Sequence, residues 1–444
     1  MPALTLLGAN LMAALISAAS AAEERQLTGA PHGHVLTNVN VWSPDSRWIV
    51  YDVRTIDGVF DGGRIEQVNV QTREVQVLYT AKNGAACGVV TYHPTEPKVA
   101  FIHGPEFPTP DWTYGASRRR GVIVEVRRPG FALPLDAMNY APPFVPGALR
   151  GGSHVHVFSP DGARVSFTYE DEVLARLGAT GAHDFNQRTI GVAAPLPAGR
   201  PRLPVAPTHP RNHDGGYFSV VVVKTVNRPR PGSDEINRAY EEGWVGGSRK
   251  LAFLGNVTAL DGREHAEIFV VELPADLTVA GDAPLAGTVN RRPAPPRGVV
   301  QRRLTFTSER AVRGIAPVPR HWVRASPDGR HLAFLMSDDA RVVQLWAIPL
   351  AGGEPRQISR GPHGITSAFT WSPDGRRIAH TSDGSVCITN VDTGETSRLT
   401  PRRSEDAPEG LACVFSPDGR RIAYTRRVAS AGGTFAQIFI VAAD

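Results

Sequence analysis

Short apolar runs alternate with polar turns along most of this chain of 444 residues. The runs are rich in Val, Ile, Phe and Tyr, and Gly, Pro or Asp stand at their ends, as in residues 377–381 and 386–390. Side chains of these types fit the pleated surface of a sheet, so the runs predict short β-strands. No helical periodicity competes with them after residue 22. The pattern therefore predicts an all-β protein.

One tetrapeptide marks the turns between these strands. Ser-Pro-Asp-Gly stands at residues 159–162, 326–329, 372–375 and 416–419, and looser copies stand at 43–46 and 93–96. Proline presets the first dihedral of a tight turn, aspartate bonds to its own backbone, and glycine accepts a positive φ. Because apolar runs flank each copy, the repeat predicts a series of β-hairpins.

The spacing of the turns predicts a propeller. Copies begin at Ser326, Ser372 and Ser416, which are 46 and 44 residues apart, the length of one four-stranded blade. The gap of 167 residues between Ser159 and Ser326 has room for one further blade without the tetrapeptide. With that blade the count becomes seven, and each blade has four strands.

The further blade is predicted from its apolar runs alone. We place its first three strands at residues 217–226, 250–255 and 267–273, with the loop 227–249 in place of its turn. This loop includes an acidic insertion, residues 231–246, with Tyr240 and Trp244. Since it joins the first and second strands, it should lie on the face opposite the loops that enter the first strands. There it would plug the channel or dock a partner.

The two ends of the repeat predict how the ring closes. The last blade reaches its third strand at residues 437–441 and lacks a fourth. Residues 24–34 match residues 355–365, which form a fourth strand and its exit loop. Residues 25–28 should therefore complete the last blade and cover its exposed edge. Residues 23–444 then form a single propeller domain.

Composition and charge limit the expected partners. Hydrophobic residues make up 41% of the chain and charged residues 20%, which is enough for a normal core. The net charge is +5, but no focused basic stripe with interleaved aromatic residues is present, so no nucleic-acid binding is predicted. We expect a monomer.

Residues 1–22 differ from the rest of the chain. An apolar run rich in Ala and Leu is followed by small residues at 19–22 and then by Glu23 and Glu24. This resembles a secretory signal peptide and predicts a periplasmic or secreted bacterial protein. Two alternatives stay open. The segment would be an uncleaved anchor or a disordered or helical N-terminal extension, or the start codon is misassigned and the protein is cytoplasmic. No other segment is a candidate to span a membrane.

The repeats also carry a family resemblance. The hairpins with their Ser-Pro-Asp-Gly turns resemble the propeller repeats of the TolB-like proteins. Four longer stretches are similar to the uncharacterised bacterial propeller family typified by YidR, namely residues 34–54, 146–171, 231–246 and 297–306. The resemblance implies the fold and assigns no activity. We therefore expect a scaffold in the bacterial envelope that binds a protein or a small ligand.

Five histidines are the main candidates for a site. The first strand of each blade lines the channel of a propeller, and His154 and His321 stand five residues before the serine of their turns. His156 follows His154 by two residues, which places both side chains on the same side of a strand. His34 and His363 stand nine residues before their serines. We expect these imidazoles to converge at one mouth of the channel.

Three interpretations of this cluster stay open. Imidazole is a common metal ligand, so His154, His156 and His321 would hold a divalent ion such as manganese, zinc or calcium. Alternatively, Arg118, from the run 118–120, and Arg150 lie in loops on the same mouth and would bind a small anionic ligand without a metal. In the third interpretation the histidines only hydrogen-bond the backbone of neighbouring blades.

A second resemblance supplies an alternative function. Residues 93–106 are similar to a segment of oligogalacturonate lyase, another propeller. That resemblance implies a metal-dependent lyase or hydrolase that acts on anionic saccharides, although it does not identify the catalytic residues. No G-x-S-x-G elbow is present, so a serine hydrolase is not predicted. Because a propeller without a catalytic motif is usually a scaffold, we favour binding over catalysis.

Overall fold

The protein is a seven-bladed β-propeller, as predicted. A computed structural model describes residues 23–178 and 183–444, so the predicted signal segment lies outside the described residues. Seven antiparallel sheets of four strands each account for nearly all regular structure in these ranges. The one α-helix described, Glu172–Leu177, follows the second strand of blade 3. No helix among the described residues is long and apolar enough to cross a membrane.

The four strands of each blade follow one another from the channel outward. Blade 1 contains His34–Val35, Trp48–Val53, Arg64–Asn69 and Val75–Thr80, and blade 2 contains Cys87–Tyr92, Lys98–His103, Arg120–Glu125 and Ala132–Pro134. Blade 3 contains Gly151–Phe158, Val165–Asp171, Thr189–Pro195 and Tyr217–Val221, and blade 4 contains Ala239–Trp244, Lys250–Thr258, Glu264–Glu272 and Val300–Arg303.

The remaining three blades follow the same order. Blade 5 contains Arg324–Ala325, His331–Ser337, Val343–Pro349 and Arg356–Gln357, and blade 6 contains Thr370–Trp371, Arg377–Ser382, Ser385–Asn390 and Thr396–Arg398. Blade 7 contains Pro408–Phe415, Arg421–Ser430, Gly433–Ala442 and Arg25–Gln26. A small parallel pair, Ala137–Met138 and Ala148–Leu149, lies in the connection between blades 2 and 3.

The tetrapeptide forms the predicted turn. In blade 3, the Ser159 hydroxyl donates to Asp161 at 2.6 Å, and the Gly162 amide donates to the Ser159 carbonyl at 2.7 Å. Gly162 has a φ of 70°, which only glycine adopts without strain. These contacts join the first and second strands of the blade, so each copy of the tetrapeptide sets the register of its hairpin.

The N-terminal strand closes the ring, as predicted. Arg25 and Gln26 pair antiparallel with Ile440 and Phe439 of blade 7. The preceding residue, Glu24, also forms an ion pair with Arg426 at 2.8 Å. The outer edge of blade 7 is therefore covered by a segment from the other end of the described chain.

Apolar layers between neighbouring sheets hold the blades together. Between blades 7 and 1, Ile49 and Val68 pack in one cluster with Val414 and Ile438. The indole of Trp42 donates to the Val414 carbonyl at 3.0 Å across the same boundary. Blades 7 and 1 thus bury apolar surface against each other, so we expect closure of the ring to stabilise the domain.

The boundary of blade 4 differs from the prediction. Tyr217–Val221 pairs with Thr189–Pro195 as the outer strand of blade 3, and the first strand of blade 4 is Ala239–Trp244. This strand contains the acidic pair Glu241 and Glu242, so its sequence resembles that of a loop. Its turn at residues 245–249 also lacks the tetrapeptide. Residues 231–238 therefore enter the first strand and lie on the same face as the histidine-bearing loops. The predicted placement of the acidic insertion on the opposite face is wrong.

Candidate functional site

A cavity of about 680 Å³ occupies one mouth of the channel. Its walls come from the first strands of the blades, such as Val89, His154 and Glu241, and from loops between second and third strands, such as residues 57–60 and Arg188. Blades 1 to 5 and blade 7 all contribute to the lining. The site therefore exists only in the closed ring.

Arginines dominate the charge of this central cavity. Five of them line it, namely Arg54, Arg119, Arg188, Arg238 and Arg320, against two carboxylates, Asp57 and Glu241. Three arginines have partners: Arg54 binds Asp52, Arg188 binds Glu170, and Arg320 binds Glu241. Arg238 stacks on the ring of Tyr240 at 4.9 Å and has no ion pair among the described residues. The cavity thus carries an excess of positive charge.

Arg119 is the most informative of these residues. It is only 7% exposed, yet no carboxylate in the described chain lies within ion-pair distance of its guanidinium. Its Nη1 donates to the Tyr114 hydroxyl at 3.2 Å, and its Nε has no partner. Burial lowers the pKa of Arg119. Glu170 favours the charged form of Arg119 from beyond ion-pair distance, but it is itself paired with Arg188. Buried charges are normally neutralised by a counter-ion in contact, and Arg119 has none among the described residues.

His154 lies beside these arginines as a neutral imidazole. Burial, together with the positive charges of Arg119, Arg188 and Arg320, holds the pKa of His154 well below its ordinary value. Its Nδ1 is 3.2 Å from the Thr168 hydroxyl. In this environment the ring contributes a hydrogen bond rather than a charge. His154, one of the predicted channel-mouth residues, lines the cavity.

Blade 4 contributes two acidic residues that the sequence analysis placed on the wrong face. Glu241 has a φ of 55° at a bulge of the first strand, where the register shifts between Tyr240 and Gly243. Its carboxylate accepts from Arg320 at 2.8 Å. The adjacent Glu242 is buried, and neither of its carboxyl oxygens has a hydrogen-bond partner. Burial raises the pKa of Glu242 to about 8, so this group is mostly protonated at neutral pH.

A bulge also separates His156 from His154. Val155 has a φ of 55°, and the pairing of this strand shifts between His154 and Val157, so strict alternation of side chains is lost. His156 is fully buried, with its Nε2 2.9 Å from the Ser153 hydroxyl and 3.7 Å from Asp136. The expectation that both imidazoles point to the same side therefore does not match the observed strand.

His321 occupies the repeat position of His154 but has a different environment. Its Nδ1 donates to the Pro319 carbonyl at 3.0 Å, and its Nε2 accepts from the Leu335 amide at 3.1 Å. Burial lowers the pKa of His321 to about 4. Both nitrogens are occupied by the backbone, which corresponds to the structural interpretation of this histidine.

The two remaining histidines lie away from the central cavity. His34 is buried in the first strand of blade 1, where its Nδ1 contacts the Ala436 carbonyl at 3.0 Å. Burial lowers its pKa to about 4. His363 is exposed, and its Nε2 lies 3.6 Å from Asp383. The five histidines therefore do not converge at one point.

The two candidate arginines have partners within the protein. Arg150 is buried and binds Asp171 at 2.7 Å, and it also donates to the carbonyl of Arg291. It thereby fastens the long loop between the third and fourth strands of blade 4 to blade 3. Arg118 binds Glu172 at 2.9 Å and stacks on Trp112 at 5.1 Å. Within the run 118–120, Arg119 rather than Arg118 faces the cavity, which the sequence pattern does not reveal.

These contacts do not fit a histidine metal site. His154, His156 and His321 each have a separate set of partners, and both nitrogens of His321 are already in use. The arginines around His154 also disfavour a cation. Across residues 23–178 and 183–444, no three side chains of His, Cys, Asp or Glu are grouped in a way that could hold a metal ion.

Comparison with known proteins identifies the family. Residues 86–213 match the model described as "Protein of unknown function (DUF3748)". The chain is 50% identical over 394 residues to the "Uncharacterized protein YidR" of Escherichia coli strain K12, covering 88% of this chain and 92% of that protein. The chain belongs to the YidR family. The predicted resemblance is therefore confirmed. The DUF3748 match includes Arg119, His154 and Arg188 of the central cavity.

Solved structures support the fold of this YidR-family protein. The "Oligogalacturonate lyase in complex with manganese" covers 96% of this chain and 94% of its own, with 12% identity and a TM-score of 0.54. A second oligogalacturonate lyase, from Vibrio parahaemolyticus, covers 96% of this chain and 94% of its own, with 12% identity and a TM-score of 0.52. At these identities the likeness concerns the propeller alone.

Proposed function

We propose that this protein is a binding scaffold whose ligand is a small carboxylate-bearing molecule held in the central cavity. The observation that carries the proposal is Arg119, a buried cation without a carboxylate partner among the described residues. The ligand would supply the missing anion. The planar guanidinium suits this role, because it can donate two parallel hydrogen bonds to one carboxylate.

The size and walls of the cavity support the same ligand class. A volume of about 680 Å³ lies within the usual range for small-molecule sites. Aromatic rings also line the cavity. The rings of Phe60 and Tyr114 stack with their centroids 4.3 Å apart, and Trp322 is part of the same lining. The walls thus combine apolar surfaces with a few placed charges. An organic acid with an apolar face would use both.

The experiment compares charged and neutral sugars. Isothermal titration calorimetry with D-galacturonate and D-galactose would measure affinity for the wild type, for Arg119→Gln and for Arg330→Gln. The control residue Arg330 has an 81% exposed side chain on a turn of the opposite face. We expect galacturonate to bind at least about tenfold more tightly than galactose, because a hydrogen bond to a charged group is worth about 1.5–3 kcal/mol. Arg119→Gln should abolish this preference, and Arg330→Gln should retain it.

Two results would contradict the proposal. One is equal affinity for the acid and the neutral sugar in the wild type. The other is an unchanged preference in Arg119→Gln, provided that circular dichroism and the melting temperature show a folded variant. Either result would mean that the unpaired guanidinium does not recognise an anion.

The alternative of a metal-dependent lyase or hydrolase has less support. The related lyase structure contains manganese, but no residue set here fits that ion in the described chain. Elemental mass spectrometry of untagged protein would decide the point. We expect His154→Ala and His321→Ala to contain as much manganese, zinc or calcium per protein molecule as the wild type. If either variant loses about one equivalent of metal, the lyase hypothesis is restored.

We also propose that the protein acts in the bacterial envelope. This rests on the sequence of residues 1–22 alone, with its apolar run and small residues before Glu23. Fractionation followed by N-terminal sequencing tests it. A periplasmic protein that begins near residue 23 is expected, whereas an intact chain in the cytoplasm would contradict the proposal.

A further inference from the structure

A buried arginine crosses the channel beside the central cavity. Arg324 begins the first strand of blade 5, and its Nη2 donates to the side-chain oxygen of Asn38, which lies between the first and second strands of blade 1. Blades 5 and 1 are not neighbours in the ring, so this hydrogen bond spans the channel. Asn38 and the adjacent Thr37 line the central cavity. The bridge from Arg324 to Asn38 therefore borders that cavity.

Arg324 is a buried cation without a carboxylate in contact. It is 9% exposed, its Nε has no hydrogen-bond partner, and it has no ion pair within the described part of the chain. Burial lowers the pKa of Arg324 to about 10, although the neighbouring Glu242 and Glu241 act to raise it. At neutral pH the guanidinium is therefore charged, and the side-chain partner that it has is a neutral amide.

The bulge of blade 4 places an unpartnered carboxyl group next to this arginine. The Val323 amide donates to the Glu241 carbonyl at 3.3 Å, and a Cβ added to Gly243 would lie 3.7 Å from the Nη1 of Arg324. Glu242 stands between these two points of contact. It is 2% exposed, and neither of its carboxyl oxygens has a hydrogen-bond partner. The two buried groups are therefore close together without being paired.

The protonation of Glu242 decides which partner Arg324 has. Burial raises the pKa of Glu242 to about 8, where Glu241 on its own strand also raises the pKa, and Arg324 of blade 5 and Arg188 of blade 3 lower it. A protonated carboxyl group has no charge to attract Arg324, so the guanidinium stays on Asn38. An ionised carboxylate is a buried charge that needs a partner, and the Nε of Arg324 is a donor that is not in use.

We infer that Glu242 and Arg324 form a proton-operated switch beside the central cavity. With Glu242 protonated, Arg324 bridges the channel to Asn38. With Glu242 ionised, Arg324 pairs with Glu242 and releases Asn38, which also cancels a positive charge near the cavity. Ionisation of Glu242 and binding of an anion in the cavity therefore oppose each other. This effect on binding rests on the proposed function, whereas the switch itself does not.

Crystal structures at two pH values test the switch without a ligand. Wild type and Glu242→Gln would be compared at about pH 6 and about pH 9, on either side of the pKa of Glu242. We expect Arg324 on Asn38 in both proteins at the lower pH. At the higher pH it should lie within ion-pair distance of Glu242 in the wild type and stay on Asn38 in Glu242→Gln, which cannot ionise. A wild-type Arg324 that stays on Asn38 at the higher pH would overturn the inference.

Calorimetry with D-galacturonate at the same two pH values tests the effect on binding. If the bound carboxylate raises the pKa of Glu242 by about one unit, the affinity of the wild type should fall about fivefold from the lower to the higher pH. The affinity of Glu242→Gln should change by less than about twofold. Glu395→Gln is the matched control, because Glu395 is an exposed carboxylate of blade 6, and this variant should keep the wild-type pH dependence.

The two experiments separate the switch from the proposed function. A wild-type affinity that does not change with pH, or one that changes equally in Glu242→Gln, would overturn the coupling between Glu242 and the cavity. Failure of galacturonate to bind at either pH would contradict the proposed function, and the position of Arg324 in the two crystals would then decide the switch by itself.

Discussion

Blades 3 and 5 carry a histidine at the same repeat position but place it in different environments. His154 lies in a bulged strand and faces an arginine-rich cavity, with a hydrogen bond to Thr168. His321 precedes a first strand, Arg324–Ala325, that pairs without a bulge, and backbone groups occupy both of its nitrogens. The repeat thus determines where a turn stands. The local backbone of the first strand determines whether a side chain is available to a ligand.

The same contrast extends to whole blades. The register shifts within the first strand of blades 2, 3, 4 and 7, whereas the first strands of blades 5 and 6 are only two residues long and pair without a shift. Blades 3 and 4 also carry the longest insertions, and they supply His154 and Glu241 to the cavity. We therefore expect closure and regular blades to support stability, and bulged strands to support binding.

The largest expected effect concerns the closure of the ring. A chain that begins at residue 29 lacks the closing strand, the buried Leu27 and the Glu24–Arg426 ion pair. Compared with a chain that begins at residue 23, we expect a loss on the order of 5 kcal/mol or an insoluble product, because an edge strand and a charge lose their partners. Thermal denaturation measures the difference, and equal melting temperatures would refute the closure model.

A smaller loss of stability is expected from replacing His321, and a still smaller one from replacing His154. His321→Ala leaves the Leu335 amide and the Pro319 carbonyl without partners, so we expect a loss on the order of 3 kcal/mol in the free energy of unfolding. His154→Ala should cost less than about 1 kcal/mol and weaken galacturonate binding. Denaturant titration and calorimetry on both variants check this. Equal destabilisation would show that the environments do not differ as described.

The smallest effect concerns pH and the bulge of blade 4. Burial raises the pKa of Glu242 from 4.5 to about 8, so between these values the folded protein binds a proton that the unfolded chain has lost. The contribution of Glu242 to the free energy of unfolding is therefore fully present below pH 4.5 and falls as the pH rises towards 8. Glu242→Gln should match wild type at about pH 4.5 and exceed it by roughly 2 kcal/mol at about pH 6, because its side chain cannot ionise and about 1.5 units of linkage at about 1.4 kcal/mol each have then accrued.

Unfolding curves at the two pH values test this prediction. Glu241→Gln is the matched control, since the neighbouring Glu241 has Arg320 as its partner and should lose stability when the ion pair is removed. A Glu242→Gln variant with the same pH dependence as wild type would show that the buried carboxyl does not titrate in this range.

The fold was largely predictable from the sequence because each tetrapeptide turn is a local event. Ser, Asp and Gly of the turn bond to one another, as Ser159 does with Asp161, so the pattern survives without knowledge of the rest of the chain. The closing strand was predictable because residues 24–34 repeat residues 355–365. Blade 4 was misplaced because its first strand contains two glutamates and its turn has a different sequence.

The site was less predictable because it depends on contacts between distant segments. His154 was predicted at the channel mouth from its repeat position, but the bulge at Val155 that turns His156 away has no clear signature in the sequence. Arg118 and Arg119 are adjacent residues of the same type. Only the folded propeller shows that Arg118 binds Glu172 and that Arg119 lines the cavity. The lack of an ion-pair partner, rather than residue type, is what makes Arg119 the proposed anion-binding residue, and such a contact cannot be read from the sequence.

The central claim is that Arg119, buried in the wall of the central cavity without a carboxylate partner among the described residues, holds an anion. A crystal soaked in selenate tests it without knowledge of the natural ligand, because the anomalous signal of selenium locates a bound oxyanion. We predict a strong peak in the central cavity within hydrogen-bond distance of the Arg119 guanidinium, and its loss in Arg119→Gln. A cavity without a peak, in crystals that bind selenate elsewhere, would contradict the account.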